Sequence, residues 1–353
     1  DLPYEWSLVP RTGEAPAELY ILLPPGISPD ANLIVPRTRT LLRLTGCSGI
    51  RFQGICFAFS HAPFPSSGGS AEAPAQGVPG YDPGQSGHDR VVRDCVLPGA
   101  IEMSGVSGCE LLRCRIAHTG GNGVMAQGSA VTIQECEIFD TGGTAVYLGP
   151  FGSTWKHRSP SPGAMLRDCW IHDFGRVYQD CAAVWAAWTP RLTIRNNRIA
   201  RGGYSGISVG WSWNHAAQSA PGECPTYNVS AIMEGTVIVQ NDVSEVMREQ
   251  VDGGGIYMLG SQGGPESAQL RGNWVHDINR NITWRYGTCT GLYFDEGSDA
   301  WTVADNVVER TNRLIEFNTF SRDGLPNGCS GCISPCPAPN PYGHATWHSE
   351  FRS

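Results

Sequence analysis

Lysine is almost absent from this sequence, since Lys156 is the only one among 353 residues, and charged residues make up only 16% of the chain. The formal net charge is −8, so no basic stripe is available to displace counterions from phosphates. Runs of about eighteen consecutive apolar residues are also missing. We therefore expect no nucleic-acid partner and no membrane span.

Glycine and proline are abundant instead, with 44 and 25 residues. Together they make up about a fifth of the chain, a composition that favours many short strands and turns over long helices. The length permits a substantial core in one large β architecture or in two average domains.

The thirteen cysteines form an odd count, so at least one is unpaired or pairs between chains. Asn228 and Asn281 open glycosylation sequons. The chain starts at Asp1 without Met or a signal peptide, which indicates an N-terminus that has been processed or truncated. We expect a secreted, extracellular glycoprotein with disulfides. The cysteines at 329, 332 and 336 predict a disulfide-tied terminal loop rather than a zinc site.

One unit recurs along the chain and reads apolar-x-x-(Cys/Asn)-x-apolar, as in LLRCRI at 111–116 and LRGNWV at 270–275. Its fourth position is occupied in turn by Cys95, Cys114, Cys136, Cys169, Asn197, Asn241, Asn273 and Asn306. Variable spacing with short strands and no helical segments predicts an all-β fold, a right-handed parallel β-helix or solenoid with long loop insertions. The asparagines would hydrogen-bond between coils, and the cysteines would form a buried apolar column or pairs such as Cys95–Cys114.

A short strand with strict alternation follows each unit, for example GIYMLG at 255–260 and GLYFDEG at 291–297. The inward positions are Val124, Val146, Val184, Ile207, Ile256 and Leu292. The positions between them form an outward column of Met125, Tyr147, Trp185, Ser208, Tyr257 and Tyr293. A solvent-facing column of this kind suits sugar stacking, although inserted loops packed over the rings would give the same pattern.

We predict a single domain over 1–353. Its first strands and first coil occupy 1–60, a loop insertion 61–90, the main coils 91–320 and a Cys-containing C-terminal loop 321–353. Further Gly-, Pro- and Ser-rich insertions at 150–163, 211–235 and 319–345 are expected to wall a binding groove.

Three carboxylates are candidates for catalysis. Asp295 shares the outward face of Tyr293, and on the next coil Glu316 is expected beside Tyr293, with Asn318 beside Asp295. Paired carboxylates are the requirement of glycoside hydrolysis. Asp252 lies in a glycine-lined turn, stacked two coils from Asp180, but a rigid ladder leaves it too far along the strand to cooperate with Asp295 unless the coils bend or a loop brings the two together.

Several stretches resemble a known family. These are the segments at 5–26 and 41–62, GISVGWSW at 206–213, DGGGIYMLGSQGG at 252–264 and GLYFDEGS at 291–298. They resemble secreted bacterial β-helix proteins of glycoside hydrolase family 141 and, more distantly, of family 120. The resemblance starts inside that family's domain and implies hydrolysis of xylan or fucosides by paired acids, with Asp252 and Asp295 matching its motifs and Glu316 near the partner acid.

The favoured prediction is therefore a glycoside hydrolase that acts on a polysaccharide without a cofactor. Its catalytic residues would be Asp295, Asp252 and Glu316. Its substrate-binding residues would be Tyr257, Tyr293, Trp185, Trp211, Asp180, Glu296 and His276.

Three other interpretations remain open. The chain could be a non-catalytic structural or glycan-binding subunit that associates end to end. It could also be a polysaccharide lyase with calcium, using Arg195, Arg198 or Arg201. The His-Asp pairs at 172–173 and 276–277 could serve the site as acid or supporting groups, or could simply cap turns.

Overall fold

The computed structural model describes residues 6–9, 18–23, 25–28, 33–62, 97–149, 160–210, 233–260, 262, 268–278, 289–295, 298, 301–317 and 346–351. Every regular element in these ranges is a β-strand. Within the same ranges, no helix has the length and apolar character needed to cross a membrane.

The chain divides into two compact units, residues 1–35 and 36–353. In the first unit, β1 (Trp6–Val9) and β2 (Glu18–Ile21) form an antiparallel pair. The second unit contains all the parallel strands, arranged in three rows that recur in the order row 1, row 2, row 3 along the chain.

Rows 1 and 2 belong to one 16-stranded sheet. Row 1 consists of β4 (Arg51–Gln53), β7 (Glu110–Leu112), β10 (Thr132–Gln134), β13 (Met165–Arg167), β16 (Thr193–Arg195), β19 (Val237–Val239) and β22 (Ala268–Arg271). Row 2 consists of β5 (Cys56–Ser60), β8 (Arg115–Thr119), β11 (Glu137–Thr141), β14 (Trp170–Phe174), β17 (Arg198–Gly202), β20 (Asp242–Ser244) and β23 (Trp274–His276). The long strand β25 (Trp301–Glu309) pairs with both β22 and β23 and so joins the rows, and β27 (Thr346–Phe351) pairs with β25.

Row 3 is a separate nine-stranded sheet. It consists of β3 (Leu42–Thr45), β6 (Gly99–Ser107), β9 (Asn122–Ser129), β12 (Val146–Leu148), β15 (Val184–Ala187), β18 (Ile207–Gly210), β21 (Gly253–Met258), β24 (Cys289–Phe294) and β26 (Arg313–Phe317). Each row-3 strand between β3 and β26 pairs in parallel with the strand one coil before and one coil after it, and these two strands form the ends of the sheet. The predicted parallel β-helix is confirmed.

The predicted inward column of row 3 is also confirmed. Val124 pairs with Val146, and the register continues through Val184, Ile207, Ile256 and Leu292. All six side chains are fully buried in one hydrophobic cluster. Strict alternation fixes this register, because a slip of one residue would turn every apolar side chain out of the core.

The asparagines form the predicted ladder at the turn between rows 1 and 2. The Nδ2 of Asn197 donates to Oδ1 of Asn241, that of Asn241 to Asn273, and that of Asn273 to Asn306, each at 2.9 Å. Each amide oxygen also accepts the backbone N–H of the coil before it, at 3.0 Å. Buried polar groups that would otherwise lack partners are satisfied in this way.

The residue before each ladder position adopts the left-handed conformation, with φ between 50° and 64° at 113, 135, 168, 196, 240, 272 and 305. This conformation turns the chain from row 1 into row 2 on every coil. Asn, Asp and Gly tolerate it most readily, and four of the seven positions carry one of these residues.

The cysteine part of the column is apolar. Cys114, Cys136 and Cys169 are buried free thiols, and the backbone N–H groups of Cys114 and Cys136 each point at the next sulfur at 3.4 Å. The alternative of a Cys95–Cys114 disulfide is therefore wrong, because the Cys114 thiol contacts the carbonyls of Phe52 and Leu112 instead. Cys95 and the cysteines at 329, 332 and 336 lie outside the described residues.

The predicted insertions at 61–90, 150–163, 211–235 and 319–345 lie mostly outside the described residues. The domain boundaries drawn from them stay predictions. Strand β27 lies inside the segment expected to be a C-terminal loop.

Candidate active site

The outward column of row 3 has the predicted order but not the predicted exposure. Tyr147 pairs with Trp185, and the register continues through Ser208, Tyr257 and Tyr293. None of the four rings is more than 4% exposed, so the expectation of a solvent-facing platform is wrong.

The rings pack in a second apolar cluster, separate from the main core, which also contains Trp188 and Leu259. Tyr147 stacks on Trp185 with centroids 4.3 Å apart. Tyr257 and Tyr293 meet edge to face at 5.1 Å, an arrangement that aromatic pairs favour.

The hydroxyls of Tyr257 and Tyr293 link two acids on neighbouring coils. The Tyr257 hydroxyl donates to Oδ2 of Asp295 on the following coil. The Tyr293 hydroxyl donates at 3.0 Å to Oδ1 of Asp252 on the preceding coil. The two hydrogen bonds therefore cross between the coils, and the paired rings connect Asp252 to Asp295.

A rigid ladder would keep Asp252 far along the strand from Asp295, but the chain does not continue straight from β21. Asp252 has φ 59°, in the left-handed region, and it is linked to Asp295 through the packed pair Tyr293 and Tyr257. The chain turns at this residue and brings its carboxylate within reach of Tyr293.

Two glycines make room beside this turn. A Cβ on Gly253 would lie 2.7 Å from the ring of Tyr204, and one on Gly254 would lie 3.0 Å from the carbonyl oxygen of Thr290. Side chains at these positions would push the neighbouring coils apart, which explains the run of glycines after Asp252.

Glu316 lies on β26, directly beside Tyr293 in the strand register, as predicted. It accepts a hydrogen bond from Thr290 Oγ1 at 2.9 Å and pairs with Arg313 Nη1 at 2.6 Å. Glu316 and Asp252 are half-buried, whereas Asp295 is 7% exposed.

Asp180 is buried one coil beyond Tyr204, on the side away from Asp252. The strand register confirms that a single coil separates the coils of Asp180 and Asp252. Tyr204, on that intervening coil, donates its hydroxyl to the backbone carbonyl of Asp252 at 2.8 Å. Sequence reasoning missed Tyr204, and its position between glycines in GGYSG at 202–206 was the only available signal.

Burial raises the pKa of all three tyrosines, and the nearby carboxylates raise it further. For Tyr204 and Tyr293 both Asp252 and Asp295 contribute, and Glu316 adds to the effect on Tyr293. The hydroxyls consequently stay protonated and act as hydrogen-bond donors at neutral pH. The Tyr293 hydroxyl lies in the field of three carboxylates.

His276 does not join this cluster. It lies on β23 in row 2, in the other sheet, and its ring nitrogens lie 2.6 Å from Asp277 and 3.0 Å from Asp242. Its assignment beside the tyrosines fails because strands of rows 2 and 3 face different sides of the coil.

The remaining predicted residues do not change this arrangement. Trp185 lies in the aromatic column, two strands before Tyr257. The positions of Trp211, Glu296, Asn318 and the sequon residues Asn228 and Asn281 lie outside the described residues. Within the described ranges, no group of three or more His, Cys, Asp or Glu side chains is arranged to hold a metal ion.

Comparisons with known proteins identify the fold. A family model described as a right-handed β-helix region matches residues 99–308. No curated protein matches the chain. A solved structure titled "Glycoside hydrolase" is similar over 85% of this chain and 53% of its own, with a TM-score of 0.65 and 21% identity. A Dettilon tailspike protein aligns over 65% of this chain and 54% of its own, with a TM-score of 0.33 and 13% identity. The chain thus spans about half the length of both structures.

Proposed function

Because the chain belongs to the right-handed β-helix family, we propose that it is a carbohydrate-active β-helix protein and, more specifically, a glycoside hydrolase. Asp295, Asp252 and Glu316 are its proposed reactive groups. The observation that carries the proposal is that the packed rings of Tyr257 and Tyr293 bind Asp295 and Asp252 through their hydroxyls, with Glu316 beside Tyr293 in the strand register.

Glycoside hydrolysis needs one carboxyl group to protonate the leaving oxygen and a second to attack the sugar or activate water. Asp295 is assigned the second role, as nucleophile or base, and the Tyr257 hydrogen bond that it accepts stabilises its carboxylate. Asp252 or Glu316 would supply the proton, since both are half-buried and more accessible than Asp295.

The substrate class is a further part of the proposal. The motifs around Asp252 and Asp295 resemble those of glycoside hydrolase family 141 and, more distantly, of family 120, which favours xylan or a fucosylated glycan. The solved structure titled "Glycoside hydrolase" shares the fold. Trp211, Glu296 and Asp180 would line the sugar sites, and the protein would act outside the cell.

A non-catalytic role as a glycan-binding or structural subunit is the second candidate function. The burial of the rings of Tyr257 and Tyr293 favours it, because tyrosine–carboxylate bonds inside an aromatic cluster also stabilise a fold without any chemistry.

The lyase alternative is weaker. The arginines considered for it lie on strands of the 16-stranded sheet, Arg195 on β16 and both Arg198 and Arg201 on β17. The acids belong to the coils of row 3. Arg201 is also engaged in an ion pair with Asp173 at 2.7 Å.

The test is turnover of aryl xylosides, aryl fucosides and xylan by the unmodified protein and by Asp295→Asn. We expect the substitution to lower kcat/KM by at least about 100-fold, the lower limit typical of a positioned acid or base. Asp305→Asn is the matched control, because Asp305 is an exposed carboxylate paired with Arg271 on the other sheet.

Turnover that survives Asp295→Asn would remove that residue from the mechanism. Absence of turnover on every substrate, with filaments visible by microscopy, would support the structural subunit. Formation of an ultraviolet-absorbing unsaturated product would support the lyase.

A further inference from the structure

Row 2 carries a second arrangement that the proposed hydrolase does not use. We propose that Trp170 and Trp274 form a binding surface for a neutral polysaccharide chain on the outside of the β-helix, separate from the acidic cluster. The proposal rests on the proposed function only in taking a glycan as the ligand.

The same four-residue motif occurs at both positions, as WIHD at 170–173 and WVHD at 274–277. In the strand register Trp170 pairs with Arg198, Arg198 with Asp242, and Asp242 with Trp274. The two tryptophans therefore occupy one column, three coils or about 14 Å apart. They are 39% and 42% exposed.

A histidine supports the Trp170 ring. The ring centroid of His172 lies 4.0 Å from that of Trp170. His172 is itself held by Asp173 at 2.7 Å, and Arg201 binds Asp173 through two nitrogens at 3.0 and 2.7 Å. The indole is thus fixed in orientation, which reduces the entropy lost when a ligand binds.

The support is repeated at Trp274. His276 stacks on it with centroids 3.8 Å apart, and His276 lies 2.6 Å from Asp277 and 3.0 Å from Asp242. Arg310 binds Asp277 at 2.6 and 2.9 Å. If the His-Asp pairs only capped turns, no exposed indole would need to pack on either histidine, and the arrangement would not need to occur twice. The capping interpretation therefore leaves the two tryptophans unexplained.

Small side chains occupy the two coils between the histidines. The histidine column continues there through Ala200 and Ser244, both buried. Arg198 and Asp242 lie between the two tryptophans in the same column, with Nε and Oδ2 4.0 Å apart, and offer donors and acceptors to hydroxyl groups.

The charge of this strip indicates the ligand. Its arginines and acids pair with one another, so the surface has little net charge to attract a polyanion or a charged membrane. Two separate rings divided by an ion pair also lack the continuous apolar area of a stable interface between copies. Apolar ring faces flanked by polar groups complement the C–H faces and hydroxyls of linked neutral sugars.

The experiment is native gel electrophoresis with soluble xylan, galactomannan or mixed-linkage glucan cast in the gel, and polygalacturonate as the acidic comparison. All proteins carry Asp295→Asn, so that the polymers stay intact. The parent is compared with Trp170→Ala/Trp274→Ala, and Phe59→Ala is the matched control, since Phe59 is 39% exposed and stacked on His118. Thermal unfolding checks that each variant is folded.

We expect a neutral polymer to retard the parent and the Phe59→Ala control, and the double substitution to weaken the apparent Kd at least about tenfold. The proposal would be overturned if no neutral polymer retarded the parent, or if the double variant were retarded as strongly as the parent. Tryptophan-dependent dimers in sedimentation without any retardation would also overturn it.

The two proposals fail separately. Tryptophan-dependent retardation together with a lack of turnover on aryl glycosides would reject the hydrolase and keep this surface. Turnover without retardation would reject the surface alone.

Discussion

At the scale of single residues, the tyrosines of row 3 have two functions at once. The rings of Tyr257 and Tyr293 pack in the aromatic cluster, while their hydroxyls bind Asp295 and Asp252. A buried tyrosine needs a partner for its hydroxyl, and a buried carboxylate needs donors. Each group here supplies what the other requires.

Replacing Tyr257 with Phe tests this dependence. The change removes the tyrosine donor of the Asp295 carboxylate, which is 7% exposed. A buried polar group that loses its partner lowers the free energy of unfolding by about 1–3 kcal/mol. We expect a lower Tm and, if Asp295 reacts, a lower kcat/KM. Both are measured on the same preparation.

Tyr20→Phe provides the control, because Tyr20 donates to Glu18 at 2.7 Å on the surface and is 56% exposed. Loss of the Tyr20 hydroxyl should change the free energy of unfolding by less than about 0.5 kcal/mol. An equal Tm for Tyr257→Phe and the unmodified protein would argue against the hydrogen bond to Asp295.

The sequence identified Asp295, Glu316 and the two tyrosines because strand alternation assigns each residue to a face. It did not find Tyr204, which lies before the regular alternation begins, and a rigid ladder did not place Asp252 beside Tyr293. Both cases depend on a turn whose path is set by the left-handed conformation of Asp252, and alternation carries no information about turns.

At the scale of the repeating element, two kinds of side chain, asparagine and cysteine, accept the backbone N–H of the neighbouring coil at the turn between rows 1 and 2. Asparagine at 197, 241, 273 and 306 accepts a backbone N–H, and the first three also donate along the ladder, whereas Asn306 donates to the carbonyl of Leu270. Cysteine at 136 and 169 accepts a backbone N–H through sulfur at 3.4 Å and forms weaker contacts. The ladder is therefore more strongly bonded in its later coils.

Asn241→Leu should destabilise the protein severely. The change removes the acceptor of the Asn197 N–H and the donor to Ile194 and Asn273, all buried. At about 1–3 kcal/mol for each unsatisfied group, we expect a loss of several kcal/mol, measured as a fall in Tm.

Asn241→Cys is the informative partner variant, because the chain itself places cysteine at the same position of earlier coils. It keeps an acceptor for the N–H and avoids a large apolar side chain, so its Tm should lie between those of the leucine variant and the unmodified protein. Identical Tm values for the two variants would show that ladder bonding contributes little.

At the scale of the whole molecule, the coils share one core. A single cluster of buried side chains includes residues from Leu44 to Val308, and each coil contacts the coils before and after it through three strand rows. Buried positions in such a structure are reached only when neighbouring coils separate.

Thiol labelling measures this directly. Cys56 is exposed, whereas Cys136 and Cys169 are buried, and burial raises the pKa of the Cys169 thiol well above its usual value. We expect a maleimide to label Cys56 rapidly and Cys169 only at the rate of unfolding, with peptide mapping by mass spectrometry as the readout.

Cys56 serves as the control within the same molecule. Labelling of Cys169 as fast as that of Cys56 under native conditions would mean that the central coils open locally. Denaturant should bring the two rates together.

The amino-acid sequence by itself determined the coil, the inward and outward columns and the asparagine ladder. These features follow from a side-chain period of two and from a turn residue repeated on every coil, both of which are local. Tertiary structure alone decided how Tyr257 and Tyr293 cross between coils, how the turn at Asp252 reaches them, and that the aromatic column is buried while Trp170 and Trp274 are exposed. Burial and crossing depend on the space left between coils and their surroundings, and no local pattern encodes that space.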